Sequence, residues 1–231
     1  MSNTDLKIYR MAVCLYPDNT SLDYQGVIEI LCSTSIRGRK QLAPWLKNPP
    51  NFAINPEYLS HNHEPVQPTL GPALVPTMTY HEAKGTQFDI ILIPGGTQTD
   101  LKAMDQSIFE FVKRQGPGAK HILTVCTGSW VLSYTGLLNG KHATTNKAAY
   151  KMIVEDTKHL NITWVPQARW VVNDDKHIWT SSGVTAGMDL ANSFLVYLSN
   201  EKFAEEVRGV IEFSANRGPN DDEFAAYYGL V

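Results

Sequence analysis

The stretch "HILTVCTGSWVLSYTGLL", residues 121–138, decides the fold. It opens as an apolar, β-branched run and closes with apolar residues at helical spacing, so it predicts a buried strand that turns sharply into a helix. The turn places Cys126 just before the helix, where unpaired backbone N–H groups and the helix dipole favour negative charge. A free thiol has a pKa of about 8.5, and such a position can bring it below about 7. Gly128 removes a side chain where the turn is tight. The arrangement parallels the nucleophile elbow of hydrolases, with Cys in place of Ser. The local pattern alone equally admits a small buried core residue, since free cysteines are commonly buried.

Working outward, a first strand is predicted over Tyr9–Leu15, ended by Pro17 and Asp18, and a helix over Leu22–Ser33 with Val27, Ile30 and Leu31 on one face. Residues Ser35–Pro50 are basic and rich in Gly and Pro, and read as a loop. Short strands are expected at Phe52–Ile54 and Ala73–Met78. "FDIILIPGG", Phe88–Gly96, is a continuous apolar run of the kind buried on both faces in a parallel sheet. A helix is expected over Asp100–Arg114. Strands around a polar turn at Asn173–Asp175 follow, then helices over Thr185–Leu198 and Glu201–Phe213. Strands alternating with helices imply an α/β sandwich around a mostly parallel sheet, one domain over residues 1–231. Ligands in such folds gather at the carboxyl ends of the strands. Both PGG and VCTG sit there.

Three further elements bear on chemistry. Gly95 and Gly96 let backbone approach a ligand, and the Gly96 and Thr127 N–H groups are placed to stabilise a developing negative charge. Asp23, in "SLDYQGVIEIL", starts the first helix after the first strand; a helix-initiating carboxylate is its ordinary role. Glu29 lies six residues on, about 240° around the helix, so only one of the two can face a given thiol. Trp130, one turn into the elbow helix, is a candidate pocket residue, with core packing as its default role.

Composition bounds the rest. The chain of 231 residues is 43% hydrophobic, enough for a sizeable core. With 20 basic against 23 acidic residues it carries a net charge of −3 and no basic block, which argues against nucleic acid and anionic membrane as partners. No apolar run approaches the roughly 20 residues of a membrane helix, and the N-terminal stretch has no apolar signal core. A cytoplasmic location is therefore expected. Cys14, Cys32 and Cys126 are widely spaced, without a CxxC, so no disulfide framework or cysteine zinc site is indicated. "HNHE", residues 61–64, lies in a Pro-rich loop with no second ligand cluster, so no metal is expected. Cys14 and Cys32 read as inert, Asp189 as structural, and the acidic tail Asp221–Phe224 as a solvated segment.

Taken together, "LDYQGVIEIL", "FDIILIPGG", "VCTGSWVLSYTGLLNGKHATTN" and "SSGVTAGMDLA" resemble the DJ-1/PfpI superfamily over about Tyr9–Leu198. Within it the similarity is to isocyanide hydratases and to the amidotransferase-like domains of AraC-type regulators. The resemblance implies a flavodoxin-like three-layer sandwich, a homodimer and a reactive elbow cysteine. Carried over by residue, it makes Cys126 the nucleophile, Asp23 the catalytic carboxylate, Thr127 the threonine after the nucleophile, Gly96 and Thr127 donors of pocket-facing N–H groups, and Val184 an apolar neighbour of the cysteine. Many relatives have His after ATT; this chain has Asn146, which can hydrogen-bond a ligand but cannot act as a base near neutral pH. A protease or glutaminase reading is thereby weakened. No basic recognition helix is present, so DNA binding is not expected.

The expected function is a cofactor-free, cysteine-dependent hydro-lyase acting on a small electrophile. It would add water to an isocyanide through a Cys126 thioimidate to give an N-substituted formamide. One alternative is a cofactor-free glyoxalase or other lyase on a small carbonyl compound, with Glu29 or Asp23 as the base. The other is a non-enzymatic oxidation sensor, because an accessible low-pKa thiol also oxidises readily.

Overall fold

A computed structural model describes residues 6–231. The first strand, β1 (Lys7–Cys14), feeds α1 (Ser21–Leu31). Then come α2 (Ile36–Gln41), β2 (Phe52–Ser60), β3 (Met78–Thr79) and β4 (Ile90–Ile93). The middle of the chain forms α3 (Ser107–Gln115), β5 (His121–Thr124), α4 (Gly128–Ser133), β6 (Lys141–Ala143) and α5 (Tyr150–Asp156). Last are β7 (Ile162–Trp164), β8 (Trp170–Val172), β9 (Ile178–Ser181), α6 (Ala186–Leu198), α7 (Glu201–Ile211) and α8 (Glu223–Tyr227).

Seven strands form one sheet in the order β3-β2-β1-β4-β5-β9-β8, parallel throughout except for the antiparallel β9–β8 edge. β6 and β7 pair separately and in parallel. Side chains alternate across a strand, and β1 shows the consequence. Met11, Val13 and Leu15 join Val27, Leu190 and Phe203 from α1, α6 and α7 in one core. Ala12 and Cys14 join Ile108, Val131 and Ile153 from α3, α4 and α5 in the other. A sheet so covered on both faces is the expected three-layer sandwich, and its central strands read as unbroken apolar runs for that reason.

Local departures from the sequence reading each have a physical cause. The expected loop at Ser35–Pro50 contains α2, whose N-terminus is capped by the Ser35 hydroxyl accepting the Gly38 N–H at 2.9 Å. The Arg39 guanidinium holds this segment down by donating to the Pro50 carbonyl at 2.6 Å. The expected strand over Ala73–Met78 reduces to an isolated bridge between Val66 and Leu74 and the two residues of β3. The helix expected over Asp100–Arg114 is broken. Asp100 caps a single 3₁₀ turn, Leu101–Ala103, and Asp105 then accepts the Ser107 N–H at 2.9 Å and starts α3 afresh. The periodicity across this break was real, but two local carboxylate caps outcompeted one continuous helix.

The tail is solvated at Asp221, Glu223 and Phe224, as expected from its charge, but not at Asp222. Asp222 is buried, 3.6 Å from the buried Lys147 ammonium. Upstream, the Pro219 carbonyl accepts the Arg169 N–H at 2.7 Å and the Trp170 N–H at 3.3 Å. Arg169 in turn pairs with Asp189 at 2.6 Å, so Asp189 is structural as expected. No helix among the described residues is long and apolar enough to cross a membrane.

Candidate active site around Cys126

Cys126 sits between the end of β5 and the start of α4 with φ of 59°, a left-handed conformation uncommon for a residue with a side chain. Its backbone is held from both ends: its N–H donates to the Ser182 carbonyl at 3.0 Å, and its carbonyl accepts the Thr145 hydroxyl at 3.1 Å. The turn is tight enough that a Cβ on Gly128 would lie 2.2 Å from the Ile93 carbonyl oxygen. The strained elbow expected from "VCTGS" is therefore present.

Asp23 lies in the first turn of α1 and is fully buried. One carboxyl oxygen accepts the Gly95 N–H at 2.7 Å. The other has no fully formed protein hydrogen bond, and the Cys126 thiol is the side chain that interacts with this carboxyl. The PGG turn is brought to Asp23 by the loop after β1: Thr20 donates to the Gly95 carbonyl at 2.8 Å, and Thr97 to the Asp18 carbonyl at 3.1 Å. A Cβ on Gly95 would meet the Thr127 nitrogen at 2.6 Å, so only glycine lets the turn approach the elbow this closely.

The electrostatics differ from the sequence expectation. Burial pushes the Cys126 thiol up to about 12, and the Asp23 carboxyl adds to the effect. The Thr127 and Val184 N–H groups and the Asn146 side chain pull the other way by hydrogen-bonding the sulfur. α4 spans only Gly128–Ser133, and its N-terminal field is outweighed by loss of water around the sulfur. Burial likewise raises the Asp23 carboxyl to about 7, against the Gly95 N–H and the Cys126 thiol, which lower it. The resting pair is thus a neutral thiol beside a carboxyl that exchanges its proton near neutrality.

The structure brings together Cys126, Asp23, Thr127, Gly95, Gly96, Asn146 and Val184. Three placements correct the expectations attached to them. The Gly96 N–H is not open to a ligand; it donates to the Thr127 hydroxyl at 2.9 Å, and that hydroxyl donates back to the Gly96 carbonyl at 3.0 Å. Trp130 does not line a pocket. It is buried in the core beneath α4, with its indole N–H on Asp156 at 2.7 Å, where the Tyr134 hydroxyl also donates at 2.8 Å. Glu29 is exposed on the outer face of α1, away from the sulfur. Asn146 uses its carbonyl oxygen to accept the Ala149 N–H at 3.2 Å, which leaves its NH₂ for the sulfur. Val184, with φ of 34°, is a second strained residue, and that backbone aims its N–H at Cys126.

Sequence reasoning missed Lys147. Its ammonium is buried, donates to Thr144 Oγ1 at 2.7 Å and to the Ala168 carbonyl at 2.6 Å, and sits directly after Asn146. A lysine in a run of small residues reads as surface; its partner Asp222 lies 75 positions away and no spacing rule links them. Cys14 and Cys32 are buried, with thiols pushed well above their ordinary value by loss of water, as befits inert core residues. His61 contacts Ser60, and His63 pairs with Glu82 at 3.0 Å.

Two cavities frame the site. The larger, about 460 Å³, opens over Tyr16, Tyr80, Gln98 and Met104 and does not include Cys126. A smaller one, about 170 Å³, does not include Cys126 either, but Asn146 and Val184, which hydrogen-bond the sulfur, line it together with Gly183.

The geometry matches known proteins. The sequence profile of the DJ-1/PfpI family covers residues 47–196. The chain is 31% identical over 150 residues to an isonitrile hydratase of Pseudomonas putida, an alignment covering 65% of this chain and 62% of that enzyme. It is 26% identical over 107 residues to a deglycase of Pyrococcus abyssi, covering 46% of this chain and 60% of that one. These alignments span about three-fifths of the length of the curated relatives. Among solved structures, a ThiJ/PfpI family protein from Pseudomonas syringae superimposes with a TM-score of 0.68 at 24% identity, covering 99% of this chain and 89% of that one, which establishes the shared fold. From the profile, the elbow and the sandwich together, the chain belongs to the DJ-1/PfpI family.

Proposed function

We propose that the protein is a cysteine-dependent hydro-lyase that hydrates an isocyanide to an N-substituted formamide. The observation that carries this reading is the buried Asp23 carboxyl beside the Cys126 thiol, raised to about 7. A general acid–base group works best when its pKa lies near the operating pH. The named activity of the Pseudomonas putida relative supports the same chemistry.

Asp23 as carboxylate takes the thiol proton while sulfur attacks the terminal isocyanide carbon. The C–S bond forms, and the Asp23 proton passes to that carbon, giving a thioimidate, R–N=CH–S–Cys126. Water, deprotonated by Asp23, then adds to the same carbon, and the proton moves through Asp23 to nitrogen. Loss of the hydroxyl proton to Asp23 forms the carbonyl and breaks the C–S bond. The formamide leaves, and Asp23 returns the proton to sulfur. One water is consumed and the enzyme is regenerated.

The disposition of N–H groups favours this electrophile over a carbonyl. Attack on a carbonyl builds an oxyanion that needs free donors. Here the Gly95 N–H is held by Asp23, the Gly96 N–H by Thr127, and the Thr127 and Val184 N–H groups by the sulfur itself. An isocyanide places developing charge on the carbon that Asp23 protonates, so no oxyanion arises in the first step. The glyoxalase alternative also loses one of its two candidate bases, since Glu29 is exposed. The sensor alternative is disfavoured by a buried thiol held neutral. A panel of alkyl and aryl isocyanides, with formamide detected by mass spectrometry, tests the proposal. No formamide from any of them would remove it.

A further inference from the structure

The cavity of about 170 Å³ that reaches the groups hydrogen-bonded to Cys126 has one wall that does not come from the sandwich. Its inner end is Asn146 and Val184, which hydrogen-bond Cys126. Its outer wall is Phe224 and Tyr228, from the segment after α7, beyond the residues covered by the family profile. That segment is fixed at two points. The Pro219 carbonyl is held by the Arg169 and Trp170 N–H groups, and Asp222 is buried against Lys147, the residue next to Asn146. Asp222 also caps α8, accepting the Phe224 N–H at 3.1 Å, so the same residue sets both the depth of the strap and the position of the first aromatic ring. Phe224 and Tyr228 both line the cavity and are 45% and 42% exposed, so each is shared between cavity and solvent.

We propose that this C-terminal strap is the specificity element of the Cys126 site, Phe224 and Tyr228 forming the wall against which the substituent of the electrophile packs. The occupant that fits is a single ring, because a cavity of about 150 Å³ accepts one benzene; Lys147 and Arg169 also line the cavity, so the preference for an apolar ring, aryl or cycloalkyl, comes from Phe224 and Tyr228. Aromatic walls reward such a ring by stacking and edge contacts. The identity of the electrophile rests on the reading above; the selection for a ring does not, because it follows from the wall.

The full chain tests both separately. Benzyl and methyl isocyanide report turnover. Iodoacetamide and N-benzyl iodoacetamide report access to Cys126 alone, since each forms an S–C bond and releases iodide. Phe224→Ala and Tyr228→Ala should each lower the benzyl-to-small rate ratio at least fivefold, with the iodoacetamide rate within twofold of wild type and Phe224→Leu intermediate. A ratio unchanged in both variants and in their double mutant overturns the proposal. So does an equal rise in both alkylation rates, which would make the strap a shield rather than a selector. If wild type turns over neither isocyanide yet the alkylation ratio falls as expected, the hydratase reading fails and the strap proposal stands.

Discussion

Asp23 gives one carboxyl oxygen to the Gly95 N–H at 2.7 Å and presents the carboxyl to the thiol of Cys126, 103 positions further along the chain. The contact joins the first turn of α1 to the elbow after β5 across the carboxyl end of β4, the strand that lies between β1 and β5. It supports assigning the proton transfers to Asp23 and withholding them from Glu29. Asp23→Asn keeps the shape and removes the base, so kcat for isocyanide hydration should fall about 10²- to 10⁴-fold. Cys126→Ala should abolish turnover, and Glu29→Gln should leave it within twofold. Steady-state kinetics on the three variants, with circular dichroism to verify folding, decides the assignment.

Asp23 should also leave a mark on stability. Its folded pKa is raised, from 3.8 to about 7, so the folded protein binds more protons than the unfolded chain between those values. Its contribution is therefore fully present below about pH 4 and is lost as pH rises through about 7. Wild type minus Asp23→Asn should show this slope, on the order of 4 kcal/mol in total and smaller once screened. The melting temperature of Asp23→Asn relative to wild type should rise between pH 5 and pH 8. A difference independent of pH would contradict the raised carboxyl. The kcat/KM profile of wild type should rise across the same range as the carboxylate form appears.

Lys147 predicts the opposite trend at higher pH. Burial lowers its ammonium to about 8 despite the attraction of Asp222. Between about 8 and 10.5 the unfolded chain binds the extra proton, so stability from this group rises with pH, and Lys147→Met should flatten that rise. Asp222→Ala, which leaves the ammonium buried and unpaired, should cost about 3–5 kcal/mol near neutrality. Denaturant melts at pH 7 and pH 9.5 separate the two effects.

Gly95→Ala is expected to lose at least 100-fold in activity with a smaller loss of stability. Its new Cβ would meet the Thr127 nitrogen at 2.6 Å and the Cys126 Cβ at 2.8 Å, so the PGG turn must retreat from the elbow and take the Asp23 carboxyl with it. An active Gly95→Ala enzyme would mean that the Gly95–Asp23 hydrogen bond does not position the base.

The resemblance to the family also leads us to propose a homodimer of about 52 kDa, twice 25.8 kDa, with α1 at or near the interface. Within the chain, α1 already packs Val27, Ile30 and Leu31 inward and sets Gly26 against Met188 of α6. Leu22 and Glu29 remain on its outer face. Light scattering at micromolar concentration should give the doubled mass, and Leu22→Glu should lower it. A wild-type monomer would rule the dimer out.

The sandwich was legible because central parallel strands are buried on both faces and announce themselves as unbroken apolar runs, as in "FDIILIPGG". The elbow was legible because a strand must end and a helix begin within VCTGS. Three things were not. The protonation state of Cys126 depends on how much water the fold leaves around the sulfur, and neighbouring letters do not record that. The tail was misread because Asp221 and Asp222 look alike in sequence, yet only Asp222 finds a buried cation, contributed by a lysine that itself looks like a surface residue. Trp130 was misplaced for a simpler reason: one turn into a helix that leaves the pocket, a side chain already points into the core below.

The Pro219 carbonyl has a consequence beyond the cavity. β8 is the last strand of the seven-stranded sheet, and the outer edge of such a strand carries unpaired N–H groups that invite a strand from another molecule. Pro219 covers the Arg169 and Trp170 N–H groups at that edge and, lacking an N–H of its own, cannot recruit a further strand through its nitrogen. The strap thus covers the start of that edge, and a chain cut before Arg217 should become more prone to aggregate through β8 while its opposite edge, at β3, behaves as before.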